Sequence, residues 1–510
     1  MDKIESNLTG LRYAEEQTIK VLPGVGGADA VWYPLEPNSY TDFGGEITTV
    51  KRNPITASRQ NKKGSATGVN ASGGFAQDLT ESNTTRLLQG FFFADAREKA
   101  TTASLKAARI PITGVTAADD EYAAASGLGG FKVSALALAS GFAIAANNGL
   151  KKVSAATATD VGVAQPLTDE AAPPATAQLE TVGFEFATGD ASLSANGNKL
   201  RLNSVAVNMT TLGLIPGEWV YLGGDGTTNR FGDDKHGFCR VGAIATGYLE
   251  FDKSDFDAVV DAGAGKAIQL FFGIFIQNES VRSLIKRRTY HVERTLDQDD
   301  NGEMAEYLIG AVPNELTLNF PQEDKVTVDM SFMALDNMQR DGTEGLLPGT
   351  RPDIVEAECF NTSLNFSRIK LSVLDNENSN PVPLAAYLQD IKLSINNGAT
   401  ANKALGVFGG FEVSVGNFDE IGSVQAYFNG MDATRAVRNN TSCTLDVAIV
   451  KDGIGMVFDL PLITLGNGRL SVEADTPVML PLDTMAAESR FKTTMTFTQF
   501  PYLPAIASNV

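Results

Sequence analysis

Residues 315–335, which read ELTLNFPQEDKVTVDMSFMAL, decide the fold. Apolar and polar side chains alternate on both sides of PQED, and this period of two is typical of strands. The apolar set is Leu316, Leu318, Phe320, Val326, Val328, Met330 and Phe332, and the polar set is Thr317, Asn319, Thr327, Asp329 and Ser331. The stretch therefore predicts two antiparallel strands with one buried face and one face in water.

Further strand-like runs and hairpin signals occur along the chain. Residues 286–310 place two β-favouring runs around Asp300, Asn301 and Gly302, which is a strong hairpin signal. Residues 388–430 alternate again, with Ile391, Leu393 and Ile395 before an Asn/Gly-rich loop and Phe411, Val413 and Val415 after it. CTLDVAIV, MVFDLPLI and FKTTMTFTQF supply further strands. With 49 glycines and only 20% charged residues, the chain is predicted to be mainly β.

Two short helices interrupt this pattern. One is predicted in ESNTTRLLQG, opened by Thr80 with Glu81 in its first turn and stopped near Gly90. It follows a strand near Gly73 to Leu79, and a second helix is predicted in MDATRAVRNN after the later strands. A helix after strands in both halves indicates a weak internal duplication.

The predicted organisation has four parts. Residues 1–42 form an extended, Pro/Gly-punctuated arm; residues 43–100 with 271–345 form a first β domain; residues 101–270 are an inserted β-rich domain; and residues 346–510 form a second β domain. The insertion is rich in Ala, Gly, Thr and Ser. Its strand and turn spacing near LIPGEWVYLGGDG suggests a small barrel or sandwich, either as one lobe or as two.

Charge is distributed unevenly. The chain carries a formal charge of −20, which disfavours general affinity for nucleic acid because phosphate binding depends on Lys and Arg. Residues 47–77 nevertheless form a loop with five cations and no acid: Lys51, Arg52, Arg59, Lys62 and Lys63. Residues 295–345 contain twelve acids against two Lys and Arg. Complementary patches on one chain favour head-to-tail association between copies, the alternatives being a solvated loop or a nucleic-acid contact.

Residue types needed for catalysis are scarce. The chain has only His236 and His291, and no P-C-x-x-C motif accompanies the latter, which argues against a deaminase-like zinc site. DQDDNG at 297–302 resembles the start of a calcium loop, but Leu308 stands where a bidentate Glu is required. GVGG and GLGG lack the spacing of nucleotide-binding loops. Asp324 and Asp329 lack the aromatic cluster of a glycosidase.

The cysteines and the lack of a recognisable targeting signal favour a soluble protein without a metal site. Cys239, Cys359 and Cys443 are widely spaced and odd in number, which argues against disulfides and a closed zinc site. The longest apolar run, residues 136–146, is too short for a membrane span, and no secretory signal opens the sequence. We therefore predict a soluble, non-enzymatic protein without cofactors, made in a cytoplasm.

Longer stretches carry a family resemblance. These are LRYAEEQTIKVLPG, WYPLEPNSYTDFGGEITTVKRNPITASRQNKKG, GGFAQDLTESNTTRLLQGFFFADARE, LIPGEWVYLGGD, KRRTYHVERTL with GAVPNELTLNF, and LPLITLGNGRLSVEADTPVMLPLD. Across nearly the whole chain the sequence resembles the tail tube (major tail) proteins of long non-contractile-tailed bacteriophages, the siphophages, of the duplicated tube-domain type.

The resemblance implies two tail-tube β-sandwich domains, each with one helix, whose strands join those of neighbouring copies into a β-barrel around a channel. Three copies would form a ring with pseudo-sixfold symmetry, and stacked rings would pass the genome during ejection. In the family a long loop and the N-terminal arm bridge rings. The five cations are therefore predicted at inter-ring contacts, and Asp329, Glu315 and Glu412 are candidates to face the lumen.

The implied partners are other copies of the chain, the tail tip, terminator or connector proteins, the tape measure protein and non-adhering double-stranded DNA, with no membrane. The implied location is the virion tail, after assembly in the host bacterial cytoplasm. The alternative function is a secreted or surface β-domain adhesin that binds carbohydrate or calcium.

Overall fold

The structure, a computed structural model, describes residues 9–57, 59–97, 109–299 and 302–508. It is mainly β, as predicted. The N-terminal part contains β1 (Gly10–Glu15), β2 (Tyr33–Leu35), β3 (Pro37–Val50), β4 (Ser65–Asp78) and helix α1 (Thr85–Phe91). The next part contains β5 (Ile110–Pro111), β6 (Gly114–Thr116), β7 (Glu121–Ala123), β8 (Ala135–Ser140), β9 (Gly149–Ala156), β10 (Asp160–Val163), β11 (Gln178–Glu185), β12 (Ser192–Asn196), β13 (Lys199–Asn203), β14 (Trp219–Leu222), β15 (Gly237–Ala245), β16 (Tyr248–Ser254), β17 (Gln269–Phe271) and β18 (Ile274–Gln277).

The remaining strands complete both halves. The middle of the chain contains β19 (Tyr290–Asp299), β20 (Gly302–Phe320), β21 (Thr327–Ala334) and β22 (Asp336–Arg340). The C-terminal part contains β23 (Phe366–Val373), β24 (Leu388–Asn396), β25 (Thr400–Asn402), β26 (Glu412–Ser414), β27 (Asp419–Tyr427), helix α2 (Asp432–Arg438), β28 (Cys443–Lys451), β29 (Ile454–Asn467), β30 (Met479–Ala486) and β31 (Thr496–Phe500). Short 3-10 helices lie at Val25–Gly27, Leu128–Gly130, Ala145–Asn147, Met209–Thr211, Gly342–Glu344 and Ala505–Ala507.

The chain divides into two compact units. Unit 1 contains residues up to Ala94, Glu279–Thr362 and Leu388–Gln425. Unit 2 contains Asp95–Asn278, Ser363–Tyr387 and the residues from Ala426 onward. The insertion is thus grouped with C-terminal strands, whereas the four-part domain division made from the sequence stays a prediction.

Unit 1 is organised around the long strand β20. Its C-terminal half pairs with β21 and β24, and β21 continues through β4 to β3, all antiparallel. Its N-terminal half pairs with β19 and β22, and β19 continues through β1 to β2. The two turn residues of the predicted β19–β20 hairpin, Asp300 and Asn301, lie outside the described residues, but Asp299 and Gly302 pair across that turn.

The change of partners along β20 occurs at Gly310, which has φ +62°. A side chain there would be strained, and its Cβ would lie 2.8 Å from Leu335 Cδ1. The backbone N–H of Gly310 donates to Glu16 Oε1 at 2.8 Å. The bend therefore requires glycine and is held by a buried carboxylate from the start of the chain.

Three elements of unit 1 differ from the sequence predictions. Helix α1 begins at Thr85 rather than at Thr80, because Asn83 accepts from the Thr80 N–H and donates to the Asp78 carbonyl, which holds a turn there. Strands β3 and β4 extend to Val50 and Ser65, so the cationic loop is shorter than residues 47–77. The predicted strand at 411–415 is only the three-residue β26.

Unit 2 contains the insertion as one hydrogen-bonded sheet. Its main path runs β12-β13-β16-β15-β14-β17-β11-β8-β9-β10-β7-β6. Two hydrophobic clusters divide it, one between Ile112 and Leu179 and one between Phe184 and Phe272. A third cluster joins the insertion to the C-terminal strands, through Trp219 and Phe238 on one side and Val457 and Phe500 on the other. The sequence left open whether the insertion has one lobe or two. In the structure its strands form one sheet with two separate hydrophobic cores.

The C-terminal strands of unit 2 form an antiparallel set around β29. Strand β29 pairs with β28, β30 and β31, while β23 pairs with β28 and β18 pairs with β31. The β28–β29 turn consists of Asp452 and Gly453, at φ +50° and +78°. Two positive φ values are the geometry of a tight type I′ hairpin.

Candidate functional site

One face of the β24, β20, β21 and β4 sheet of unit 1 is polar. The strands are in register, so that three positions on each form a grid. The grid consists of Lys392, Ser394 and Asn396 on β24, Glu315, Thr317 and Asn319 on β20, Thr327, Asp329 and Ser331 on β21, and Gly74, Ala76 and Asp78 on β4. We call it the polar grid.

The opposite face of the same strands is the core of unit 1. Leu316 and Leu318 are buried on β20, Val328 and Met330 on β21, and Leu393 on β24, each at 2% exposure or less. Removal of these apolar side chains from water fixes which side of each strand faces outward, because a one-residue shift of the strand register would turn every side chain to the opposite face. The alternation predicted from residues 315–335 is confirmed, and it creates the polar grid.

Hydrogen bonds cross the polar grid from strand to strand. Asn396 donates to Glu315 Oε1 at 2.9 Å, and Asn319 donates to Asp329 Oδ2 at 2.9 Å. The hydroxyls of Thr317 and Ser394 lie 3.0 Å apart. The grid is therefore a connected polar surface, and amide donors hold the carboxylates of Glu315 and Asp329 in place.

The charge of the polar grid is negative. It includes Glu315, Asp329 and Asp78 against Lys392. At its rim Lys325 donates to Asp78 at 2.8 Å, and this hydrogen bond raises the pKa of the Lys325 ammonium. The surface is thus wet and acidic, and its cations are few.

The acids proposed from the sequence do not all lie together. The structure brings Glu315 and Asp329 onto the polar grid, both exposed. Glu412 is exposed as well, but it lies on β26, whose partner is the short strand β25. Other acids of the 295–345 stretch are engaged elsewhere; Glu306, for example, is buried and bonded to Arg294. The stretch does not form a single acidic patch.

The cationic loop lies at the tip of the β3–β4 hairpin. Val50 and Ser65 are its last paired residues, so the loop comprises residues 51–64. All five of its cations, Lys51, Arg52, Arg59, Lys62 and Lys63, are exposed. Within the described part of the chain none of the five is paired with a carboxylate. Ile55 is also fully exposed at this tip, which the charge pattern gave no reason to expect.

Unit 2 has a smaller surface of the same kind on β29 and β30. Thr464 pairs with Met485 and Gly466 pairs with Asp483. Thr464, Asp483 and Met485 are exposed, whereas their neighbours Leu465 and Leu482 are buried. These four paired positions carry one acid and no Lys or Arg.

The two histidines occupy structural positions. His291 is buried on β19, with Nδ1 at 2.7 Å from Glu16 Oε1, and His236 lies 3.1 Å from the Tyr221 hydroxyl. In the described ranges no three His, Cys, Asp or Glu side chains are grouped so as to hold a metal ion. Those ranges also contain no helix with the length and hydrophobicity of a membrane span.

Several residues of the polar grid and of the hairpin tip were not predicted from the sequence. Asp78 and Asn396 join the polar grid only because β4 flanks β21 and β24 flanks β20. Asn396 is 81 residues from its partner Glu315, and Asp78 pairs with Thr327, which is far more distant along the chain. The sequence did contain a signal for Asn396, because Ile391, Leu393 and Ile395 were predicted as buried. The alternation places Asn396 on the opposite, exposed face of the same strand. No local signal marks Ile55 as part of an exposed tip.

A polar sheet face, an exposed charged hairpin and a large β framework define a structural protein that works through its surfaces. The chain belongs to the family of phage tail tube proteins, whose family model matches residues 6–486. It is therefore a structural component of the bacteriophage virion, in the tail tube. No curated protein matches the chain. Family membership favours the virion protein over the adhesin alternative.

Proposed function

We propose that three copies of this chain form a ring, and that rings stack into a tube through which double-stranded DNA passes during ejection. In this assembly the polar grid of unit 1 and the β29–β30 surface of unit 2 line the channel. The observation that carries the proposal is the polar grid: a wide, hydrogen-bonded, acidic sheet face on a member of the tail tube family.

The order of elements supports three copies rather than six. With the strands β5–β18 and the short pair β25 and β26 left out, the order β3, β4, α1, β19, β20, β21 resembles the later order β24, β27, α2, β28, β29, β30. In each repeat a helix precedes a hairpin whose strands are joined by two residues, and the second strand of that hairpin also pairs with the strand that follows it. Six tube repeats would then come from three chains.

The charge of the proposed lining suits transit of DNA. Each Lys or Arg that neutralises a phosphate adds to affinity, and a ring of such contacts repeated at every layer would hold the DNA. The polar grid instead presents three acids and Lys392, so the wall repels phosphate weakly and stays hydrated. The mechanism is passive: the wall excludes adhesion and performs no catalysis.

Closure of the sheet supports self-assembly. An open sheet leaves unpaired backbone groups at its edge strands, and joining the sheets of neighbouring copies into a barrel removes these edges. The other proposed partners are the tail tip, the terminator or connector proteins and the tape measure protein, with assembly in the host bacterial cytoplasm.

Thiol accessibility tests the proposed lining. Cys359 is half-buried and is replaced by serine, which leaves the buried Cys239 and Cys443. In this background Asn396→Cys places a thiol on the polar grid, and Val205→Cys places one on the insertion, where Val205 is 98% exposed. In assembled tubes we expect Asn396→Cys to react with a small maleimide but not with a polymer-linked one, because the polymer cannot enter the bore.

The control is the second variant. Val205→Cys is expected to react with both reagents in tubes, and both variants are expected to react with both reagents as dissociated subunits. Equal reaction of the two variants with the polymer-linked reagent in intact tubes would contradict the assignment of the polar grid to the channel.

A further inference from the structure

A cavity of about 210 Å³ lies in unit 1 beside the start of β3. Its floor is apolar and aromatic, with Tyr13, Tyr33 and Leu35 among the lining residues. Ile354 and Val355 form part of its wall, and their side chains are 47% and 68% exposed. Two neighbouring aliphatic side chains at the mouth of a cavity form an apolar surface that a partner can cover.

The segment that carries these side chains is extended and acidic. It begins where the Pro352 carbonyl accepts from Arg12 at 2.7 Å, and it ends where Phe360 hydrogen-bonds to Leu79 and Val326. Between these anchors, residues 353–357 make no hydrogen bond with the rest of the described chain. The segment includes Asp353, Glu356 and Glu358, and Glu36 lines the same cavity.

Two cations lie close to this surface and are already engaged. The Arg86 guanidinium stacks at 4.0 Å over the Tyr33 ring, and Arg12 binds the Pro352 carbonyl. Glu36, Asp353 and Glu356 outnumber these two arginines, which leaves the site acidic. It therefore combines an apolar cavity, an excess of negative charge and unpaired main-chain groups.

The tip of the β3–β4 hairpin has the complementary properties. Its five exposed cations flank Ile55 along the sequence, the Ile55 side chain is fully exposed, and residues 51–64 contain no acid. Burial of a fully exposed isoleucine is favourable, so a cationic loop with one such residue suits an acidic site with an apolar cavity.

The two surfaces lie at opposite ends of one strand. Glu36 lines the cavity and immediately precedes β3, and Val50 at the other end of β3 immediately precedes the cationic loop. β3 has 14 residues, which spans roughly 45 Å at about 3.3 Å per residue when straight. A loop cannot reach a site at the far end of its own strand, but it can reach that site on the next copy.

We propose that the β3–β4 loop of one copy docks on residues 353–357 of a copy in the adjacent ring, with Ile55 in the cavity. This inference rests on the proposed function, which supplies stacked rings, and it assigns the receiving surface. The contact is heterologous, because different surfaces of the two copies meet, and repeated heterologous contacts generate open filaments. The unpaired main chain of residues 353–357 adds hydrogen bonds to the loop.

Disulfide trapping tests the contact on assembled tubes. In the Cys359→Ser background, Ile55→Cys is combined with Val355→Cys, and a matched control combines Ile55→Cys with Val205→Cys. Both partner positions are exposed, but only Val355 lies in the proposed site. Mild oxidation is expected to give a ladder of covalent oligomers with Val355→Cys and none with Val205→Cys.

Charge reversal provides a second measurement. Lys62→Glu with Lys63→Glu is expected to abolish tubes, as is Asp353→Lys with Glu356→Lys. All four changes in one chain are expected to restore tubes. Normal tube yield from either pair of changes, or the absence of a ladder with Val355→Cys in intact tubes, would overturn this inference while the proposed function stands. Failure of the wild-type chain to form tubes would overturn both.

Discussion

Glu16 is a buried carboxylate that joins the start of the chain to the middle. Its Oε1 accepts from Gly310 at the bend of β20, and its Oε2 accepts from the Lys20 N–H at 2.7 Å and from Thr289. Burial acts to raise the pKa of Glu16, but His291 and the hydrogen bonds outweigh it and lower the pKa. The ionised form is thus favoured in the folded state and stabilises the bend.

We predict that Glu16→Gln destabilises unit 1 by about 1–3 kcal/mol at neutral pH, because buried donors lose their charged acceptor. The folded-state pKa lies below the ordinary value of 4.5, so this contribution is complete above that pH and is lost as the pH falls through the folded-state pKa. The difference from wild type should therefore shrink in acid.

Tryptophan fluorescence measures this loss selectively. Trp32 lies in unit 1, and its ring centroid is 6.5 Å from that of His291. In a Trp219→Phe background Trp32 is the remaining tryptophan, so its fluorescence in denaturant titrations reports the unfolding of unit 1. The control is Glu15→Gln at the preceding position, where a half-exposed carboxylate pairs with Arg288 in a contact that contributes at most about 1 kcal/mol. A loss for Glu16→Gln that stayed constant into acid would contradict the role of the ionised carboxylate.

At the residue scale the sequence predicted the sides of strands but not their long-range partners. Residues 315–335 revealed which side chains of β20 and β21 face water, because alternation is local. Glu16 carried no such signal, since its partner Gly310 is 294 residues away. Pairing at such a distance is set by the three-dimensional fold.

The strands of unit 2 are joined by a buried arginine. Arg240 on β15 has no exposed surface; its Nη1 lies 2.9 Å from Asp459 Oδ1 on β29, and its Nη2 lies 2.9 Å from Asp252 Oδ2 on β16. Arg490 binds the same Asp252 oxygen at 2.9 Å. The insertion and the C-terminal strands thus share an ionic contact as well as a hydrophobic cluster.

We predict that Arg240→Met destabilises unit 2 by about 3–5 kcal/mol, because two carboxylates remain buried without their main counter-charge. The measurement is the Trp219 fluorescence transition in a Trp32→Phe background. Arg435→Met is the control: Arg435 and Asp432 are largely exposed, so their pair is worth about 0.5 kcal/mol or less. Equal effects of the two substitutions would show that the buried contact is dispensable.

At the element scale the predictions were correct for type and less accurate for ends. Helix α2 lies inside the predicted MDATRAVRNN, whereas α1 starts five residues later than predicted because the Asn83 side chain stabilises a turn. The second half of β4 was predicted as the strand near Gly73 to Leu79, but the arms of β3 and β4 next to the cationic loop were too polar and glycine-rich to be recognised as strands. Their pairing over 14 residues each depends on β21, which supplies a partner for β4.

At the scale of the whole molecule, the proposed function depends on association between copies of the chain. The family predicted from the sequence is confirmed, whereas the duplicated plan, inferred from a similar order of strands and helix in both halves, stays a prediction. It did not predict that the insertion and the C-terminal strands belong to one compact unit, because the contacts of Trp219 with its cluster join distant segments. The position of each repeat around a ring follows from contacts between copies, which the proposed disulfide and thiol experiments address.

A density map of the tube assembled from purified wild-type chain tests the central claim most directly. The account predicts stacked rings of three chains whose inner wall is formed by the polar grid and the β29–β30 surface, with Glu315, Asp329 and Asp483 facing the bore. Discrete monomers at high concentration, or a tube whose inner wall is formed by the cationic loop or the insertion, would contradict it.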